Sequence, residues 1–264
     1  MWEFLRLLAG TLWLRPYVFI FLACYLALAT LHLGFGRTLA FLVSGYLMAW
    51  AMEFSSIHTG FPFGLYIYIP ATADRELWVL GVPFMDSLSY VFLAYASFTL
   101  ALLALGSGRW HQGRFSLEED RILLKSWRAT VLGATLMMAL DVVIDPVALR
   151  GYRWFLGQIY GYPEYGVYFG VPLSNFAGWF LVALIMIRFL QVLIAHFPAS
   201  PWWNLGRRPI SCQPLLGPAL YLGILGFNLF MTFWIGEYTL GWVGTFLYLP
   251  FFTWLTLKLW PAGD

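Results

Sequence analysis

A chain of 264 residues that is 61% hydrophobic, 20% aromatic and only 11% charged, with mean hydropathy +0.74, does not carry the surface of a water-soluble domain, where about a quarter of residues are charged. The net charge of +2 decides nothing by itself, but no basic cluster alternates with exposed aromatics, so no nucleic-acid partner is expected. Cys24 falls in an apolar run and Cys212 in a connection, so no disulfide framework is expected. His32, His58, His111 and His196 stand apart, with no pair at helical spacing. No metal site is therefore expected, which weakens any oxygenase or desaturase that needs histidine-bound iron.

Residues 1–16, MWEFLRLLAGTLWLRP, are interrupted by Arg6 and Arg15 and lack a small-residue cleavage site. They are expected to lie at the membrane interface as an amphipathic segment. Crossing a bilayer takes about 20 mostly apolar residues. Seven stretches qualify: 17–33, 37–54, 88–106, 127–145, 176–197, 215–236 and 241–259. The expected fold is thus all-α, a single polytopic membrane bundle of about seven transmembrane helices, ending in C-terminal helices over 198–264. Pro146 is expected to end the fourth span at Asp145.

The connection 107–126 reads as a solvated loop. Connections 55–87 and 146–175 are rich in Tyr, Phe, Gly and Pro, and are expected to pack on the bundle or lie among headgroups. Nine Lys and Arg residues fall on the side holding 107–126 and 198–214, against five on the other. The positive-inside bias puts the N-terminus outside and the C-terminus in the cytoplasm.

The two aromatic connections echo each other. GVPFMDSLSYVFLA at 81–94 and GVPLSNFAGWFLVA at 170–183 each open an apolar helix. Glu53 precedes the first GVP and Asp141 the second at nearly equal spacing, and Asp86 and Asn175 hold matching places. The pattern points to a parallel repeat of 37–106 in 127–197, related by an axis along the membrane normal. The plainer account is that Gly-Pro simply starts two helices.

Acids in apolar helices cost roughly 2.5–3.5 kcal/mol each at mid-helix. Glu53, Asp86, Asp141, Asp145 and Glu237 all fall at span ends on the same side. Asp141 and Asp145, in ALDVVIDP, are four residues apart and share a helix face. Two carboxylates on one dry face do not easily both ionise, so one is expected to keep a proton and serve as donor. The competing account has Asp145 in headgroup water and Asp141 paired with Arg150 or Arg153. Tyr66, Tyr68, Tyr152, Trp154, Tyr160, Tyr162, Tyr165 and Tyr168 read first as an interfacial belt. Aromatic faces also shelter cations and line apolar pockets, so Tyr66, Tyr68, Trp154, Tyr168 and Trp179 are candidate substrate contacts. Asn175, with Ser174, is placed to orient water or an acid, and joins these aromatics as a candidate substrate contact. His58 reads as a loop hydrogen-bonder.

E-x-x-x-I-x-T-G-x-P-F-G-x-Y at Glu53–Tyr66, GVP at Gly81–Pro83, D-x-x-x-D-P at Asp141–Pro146 and Y-x-G-V-P-L-S-N-F-x-G-W at Tyr168–Trp179 together cover about residues 45–190. In these motifs the chain resembles the membrane carotenoid biosynthesis family, of the gamma-carotene 1',2'-hydratase and bisanhydrobacterioruberin hydratase type. The resemblance implies addition of water to a terminal isoprenoid double bond of an acyclic carotenoid end, in a prokaryotic plasma membrane. Its implied partners are a carotenoid or other polyisoprenoid lipid, water and membrane lipids, with no cofactor. From the residues themselves come the catalytic candidates Asp141, Asp145, Glu53 and Asp86. A carotenoid cyclase would begin with the same protonation. A proton-coupled seven-helix transporter would also use intramembrane acids. A retinal receptor is disfavoured, since Lys125 and Lys258 are not mid-helix.

Overall fold

The computed structural model describes residues 2–111, 114–117, 121–197 and 212–260. Among them are nine α-helices: α1 (Trp2–Leu14), α2 (Pro16–Leu33), α3 (Phe35–Thr59), α4 (Phe84–Leu105), α5 (Arg121–Leu124), α6 (Trp127–Ala148), α7 (Leu173–His196), α8 (Gln213–Trp234) and α9 (Tyr238–Leu259). Seven of these, all except α1 and α5, are long and apolar enough to cross a membrane. They coincide with the seven expected spans. The connection 198–214, with Arg207 and Arg208, lies almost wholly outside the described residues.

Helix α4 is the axis of the bundle. Its most apolar stretch is 89% buried, against 22% for α2 and 28% for α9, so α4 is ringed by other helices while α2 and α9 face outward. It packs against α2, α3, α6, α7 and α8. Lipid tails supply no hydrophobic drive between helices, so close approach must come from small side chains. Gly133 of α6 and Gly217 of α8 provide it. A Cβ on Gly133 would lie 2.8 Å from Ile187 Cδ1 and 3.4 Å from Phe98 Cα, and one on Gly217 would lie 2.3 Å from Thr99 Oγ1.

Two expectations need correction. Pro146 does not end its helix, which continues to Ala148. One turn from a helix end, a proline removes a single ladder bond, and α6 absorbs that loss. The connection 107–126 is not wholly irregular: β4 (Gly108–His111) and β5 (Arg114–Leu117) form an antiparallel hairpin. The N-terminal segment also packs against a loop. Trp2 and Trp13 are exposed, but Thr11 and Arg15 are buried, because the loop at 72–77 closes over them. Thr11 Oγ1 accepts the Leu77 N–H at 2.8 Å.

Both GVP segments have the same backbone. β2 (Trp78–Val79) and β3 (Val82–Pro83) pair antiparallel, with Val79 opposite Val82. The bridge Tyr168↔Val171 repeats that register. The two central residues are left-handed in each case: Leu80 (φ 50°) and Gly81 (φ 84°), then Phe169 (φ 50°) and Gly170 (φ 98°). Positive φ at both positions is the two-residue turn that matches strand twist, and the second position favours glycine. Pro83 and Pro172 then cap α4 and α7, placing Asp86 and Asn175 each at the third helical residue. Tyr90 and Trp179, four residues further on, stack on each other at 4.3 Å and 7°. We propose that 37–106 and 127–197 are repeat halves. Stacking of equivalent residues is what a two-fold axis would produce.

Gly217→Ala is expected to lower the thermal midpoint of the detergent-solubilised protein by an overpacking cost of about 1–3 kcal/mol. Gly223→Ala on the same helix, with nothing within 4 Å of the added methyl, is expected to leave the midpoint unchanged.

Candidate functional site

Helix ends and loops converge on one cavity of about 120 Å³ at one end of the bundle. Glu53 reaches it from the penultimate turn of α3, Asp86 from the first turn of α4, and Asp141 and Asp145 from the last two turns of α6. All four expected catalytic carboxylates therefore line a single space. Glu237, grouped with them by position in the sequence, does not. It pairs with Arg153 and lies 3.2 Å from Arg150 Nε. Those two arginines are thus engaged by Glu237 and not by Asp141.

The loop after α3 forms the roof. Phe63 donates its N–H to Ser56 Oγ at 2.9 Å, and Pro62–Phe63 rests on α7 where Gly178 leaves room. A Cβ on Gly178 would meet Pro62 O at 2.6 Å and Phe63 Cα at 2.7 Å. β1 (Ile67–Tyr68) then pairs antiparallel with β6 (Tyr160–Gly161), with Tyr68 opposite Tyr160. That two-residue ladder hangs one phenol over each acid pair.

The first pair is Glu53 and Asp86. Tyr68 Oη lies 3.1 Å from Glu53 Oε1 and 2.8 Å from Asp86 Oδ2. Ser87 Oγ donates to Glu53 Oε2. A phenol has one proton. It either splits that proton between the two acids or donates to one and accepts from a protonated other. The second pair is Asp141 and Asp145. Asp145 accepts from Tyr160 Oη, from Tyr162 Oη at 2.7 Å and from Asn175 Nδ2 at 3.1 Å. The second amide hydrogen of Asn175 serves Asp141 Oδ2 at 2.8 Å. Among the described residues, Asp141 Oδ1 is buried without a hydrogen-bond partner. The two acids of α6 are therefore unequal: Asp145 accepts from three donors over both oxygens, and Asp141 has one oxygen uncommitted.

The phenols keep their protons here. Burial, followed by the charges of Asp86 and Glu53, holds Tyr68 well above the usual phenol range. Burial and then Asp145 do the same to Tyr160 and Tyr162, and burial followed by Glu53 does so to Tyr66. The belt reading thus fails for Tyr68, Tyr160 and Tyr162, whose hydroxyls are the carboxylates' partners. It suits Tyr152 and Tyr165, which are 68% and 85% exposed.

Of the expected substrate contacts, Tyr66, Tyr68, Trp154, Asn175 and Trp179 line the cavity. Tyr168 does not: its ring packs edge-on against Phe169 and Phe176, at 5.0 and 5.5 Å. His58 sits in the last turn of α3, exposed, with Nδ1 2.7 Å from Phe54 O. Sequence reading passed over Ser87, Asn228 of α8, and the α2 residues Tyr17 and Phe21 at the cavity wall. It also passed over a buried ion pair. Arg15 holds Glu76 through Nε and Nη2, each at 3.0 Å, and donates Nη1 to the carbonyl of Leu156, a cavity residue. Among the described residues, no three His, Cys, Asp or Glu side chains converge as a metal-ligand set.

This is a polytopic helical membrane protein that gathers four carboxylates and their phenol and amide donors into one internal cavity. The chain belongs to the carotenoid biosynthesis protein family, which it matches over residues 14–250. That match extends past 45–190 at both ends and takes in Arg15 and Asn228. The chain is also 30% identical over 197 residues to bisanhydrobacterioruberin hydratase of Haloarcula japonica. This similarity covers 74% of the chain but only 57% of that relative. No solved structure matches the chain.

Arg15→Met leaves the buried Glu76 unpaired and is expected to cost about 3–5 kcal/mol. Adding Glu76→Leu removes the stranded charge and is expected to recover most of the loss. Thermal midpoints of the single and double variants in one detergent check this.

Proposed function

We propose that this protein is a carotenoid hydratase that adds water to a terminal isoprenoid double bond of an acyclic carotenoid end, through a tertiary carbocation. The single observation that carries the reading is the inequality of the α6 acids: Asp145 accepts from three donors beside an Asp141 whose Oδ1 has no partner among the described residues. A carboxyl oxygen that is buried, uncommitted and next to an ionised carboxylate is where a transferable proton resides. Family membership and the hydratase relative supply the substrate class.

In this reading Asp141 protonates the less substituted alkene carbon, and the positive charge develops on the neighbouring tertiary carbon. Asp145, held ionised by Tyr160, Tyr162 and Asn175, faces that charge across a dry cavity, where fixed negative groups act strongly. Tyr66, Phe63 and the stacked Tyr90–Trp179 pair offer aromatic faces to the cation. Water adds to the tertiary carbon, and the Glu53–Tyr68–Asp86 group takes the proton that the bound water loses. No cofactor enters these steps. The polyene stays in lipid and only its end enters the cavity. The charge bias supports an N-terminus outside and a C-terminus in the cytoplasm, in a prokaryotic plasma membrane, with the site in the outer half.

Expression in a bacterium that makes lycopene or gamma-carotene, followed by mass analysis, tests the reading. The expected product carries one added water. A product of unchanged mass but altered structure would assign cyclisation instead, and unchanged substrate would sink both. Asp141→Asn keeps shape and hydrogen bonding but loses the proton, and should reduce hydration at least about 100-fold at normal protein level. Glu53→Gln should slow the reaction less, because Asp86 remains to accept.

A further inference from the structure

Resting on the hydratase reading, we infer that Asn228 holds the water that adds to the carbocation. Helix α8 contributes no acid to the cavity, and Asn228 is the one amide it presents there. Tyr221, Ile224 and Asn228 lie on one buried face of α8, and the last two line the cavity. An asparagine in a membrane-crossing helix usually bonds across to another helix. This one does not: Nδ2 donates to Ile224 O of its own helix at 2.9 Å. Among the described residues no donor reaches Oδ1. A neutral acceptor oxygen is thereby fixed at the cavity wall, with its geometry set by the bond to Ile224.

The chemistry suits an amide at this place. Water that donates one O–H to Oδ1 keeps a lone pair free for carbon. The amide itself is too weak a base to strip a proton from the cation, and it does not compete with water as a carboxylate would. Asn175, the other amide in the cavity, has both of its hydrogens on the α6 acids and sits beside the proton donor. Asn228 bonds none of the acids, so a water on it approaches from a different helix than the proton does. In the step itself the π bond breaks as the Asp141 proton forms a C–H bond, and the water oxygen forms the C–O bond to the tertiary carbon. Its surplus proton passes to the Glu53–Asp86 group, and exchange within the cavity restores Asp141. The sum is alkene plus water to tertiary alcohol.

The test separates protonation from water capture. Membranes containing the protein are supplied with lycopene in D2O buffer, and both the hydrated product and the deuterium in recovered lycopene are measured. Asn228→Leu, close in size but unable to hold water, is expected to lose about 10-fold in hydration, the size of one lost hydrogen bond to the nucleophile. Deuterium should still enter the recovered carotenoid, because a cation that fails to meet water returns to alkene by losing a proton. Asn228→Ser, which keeps an acceptor oxygen, should regain part of the hydration. Normal hydration in Asn228→Leu overturns the inference. So does a parallel loss of hydration and deuterium uptake, which would assign Asn228 to protonation or to the fold. Asn228→Ala is scored by the same two readouts if the leucine variant does not accumulate. A wild-type protein that neither hydrates lycopene nor exchanges deuterium, and leaves gamma-carotene equally untouched, refutes the hydratase reading itself.

Discussion

Four carboxylates gathered among membrane-crossing helices, with Glu53, Asp141 and Asp145 buried and Asp86 half-buried, must each find hydrogen-bond donors or keep a proton, because the surrounding apolar medium offers neither water nor counter-ions. The rest of the architecture follows from meeting that demand. Lysine and arginine do not meet it: Arg15 is held by Glu76, and Arg150 and Arg153 by Glu237. Phenols, a serine and one asparagine do. Neutral donors stabilise an ionised carboxylate without cancelling its charge. The proposed hydration, which shelters a carbocation, would use that negative sign.

The donors arrive on loops, and the loops are held by the repeated backbone device. Each two-residue turn with a left-handed pair folds a short strand back and starts a helix within three residues. The result is that Asp86 and Asn175 sit in first helical turns, where the helix dipole favours negative charge nearby. The β1–β6 ladder then crosses from one connection to the other, and neither Tyr68 nor Tyr160 would be in place without it. The Arg15–Glu76 pair closes the same end of the bundle from the side of α1, fixing Leu156 at the cavity wall. Rigid elements on every side suit chemistry in which water has to be admitted at one place and excluded elsewhere.

Seven membrane-crossing helices were legible because the bilayer imposes a simple length and polarity rule, and each expected span matches a helix to within a few residues. The four acids were legible because their cost in an apolar helix demands a reason. Asp141 and Asp145 could be placed on one face by helical periodicity alone. Gly81 and Gly170 stood out as a pair in the sequence, although their reason is the left-handed turn before each helix and not helix initiation itself.

What the sequence did not determine was which groups meet across long separations. Arg15 and Glu76 are 61 positions apart, and Glu53 reaches Ser87 across 34. A tyrosine in a membrane connection reads as an interfacial anchor by composition. Only the β1–β6 register decides that Tyr68, Tyr160 and Tyr162 turn inward to acids while Tyr152 and Tyr165 remain exposed. Asn228 carried no pattern at all, since a single amide in an apolar helix gains meaning only from the cavity beside it. The sequence by itself settled the solvent, the spans and the acids, because those depend on local composition and period. The tertiary structure alone decided the donors, the inequality of Asp141 and Asp145 and the shared cavity, because hydrogen bonds are fixed by distance in space and not along the chain.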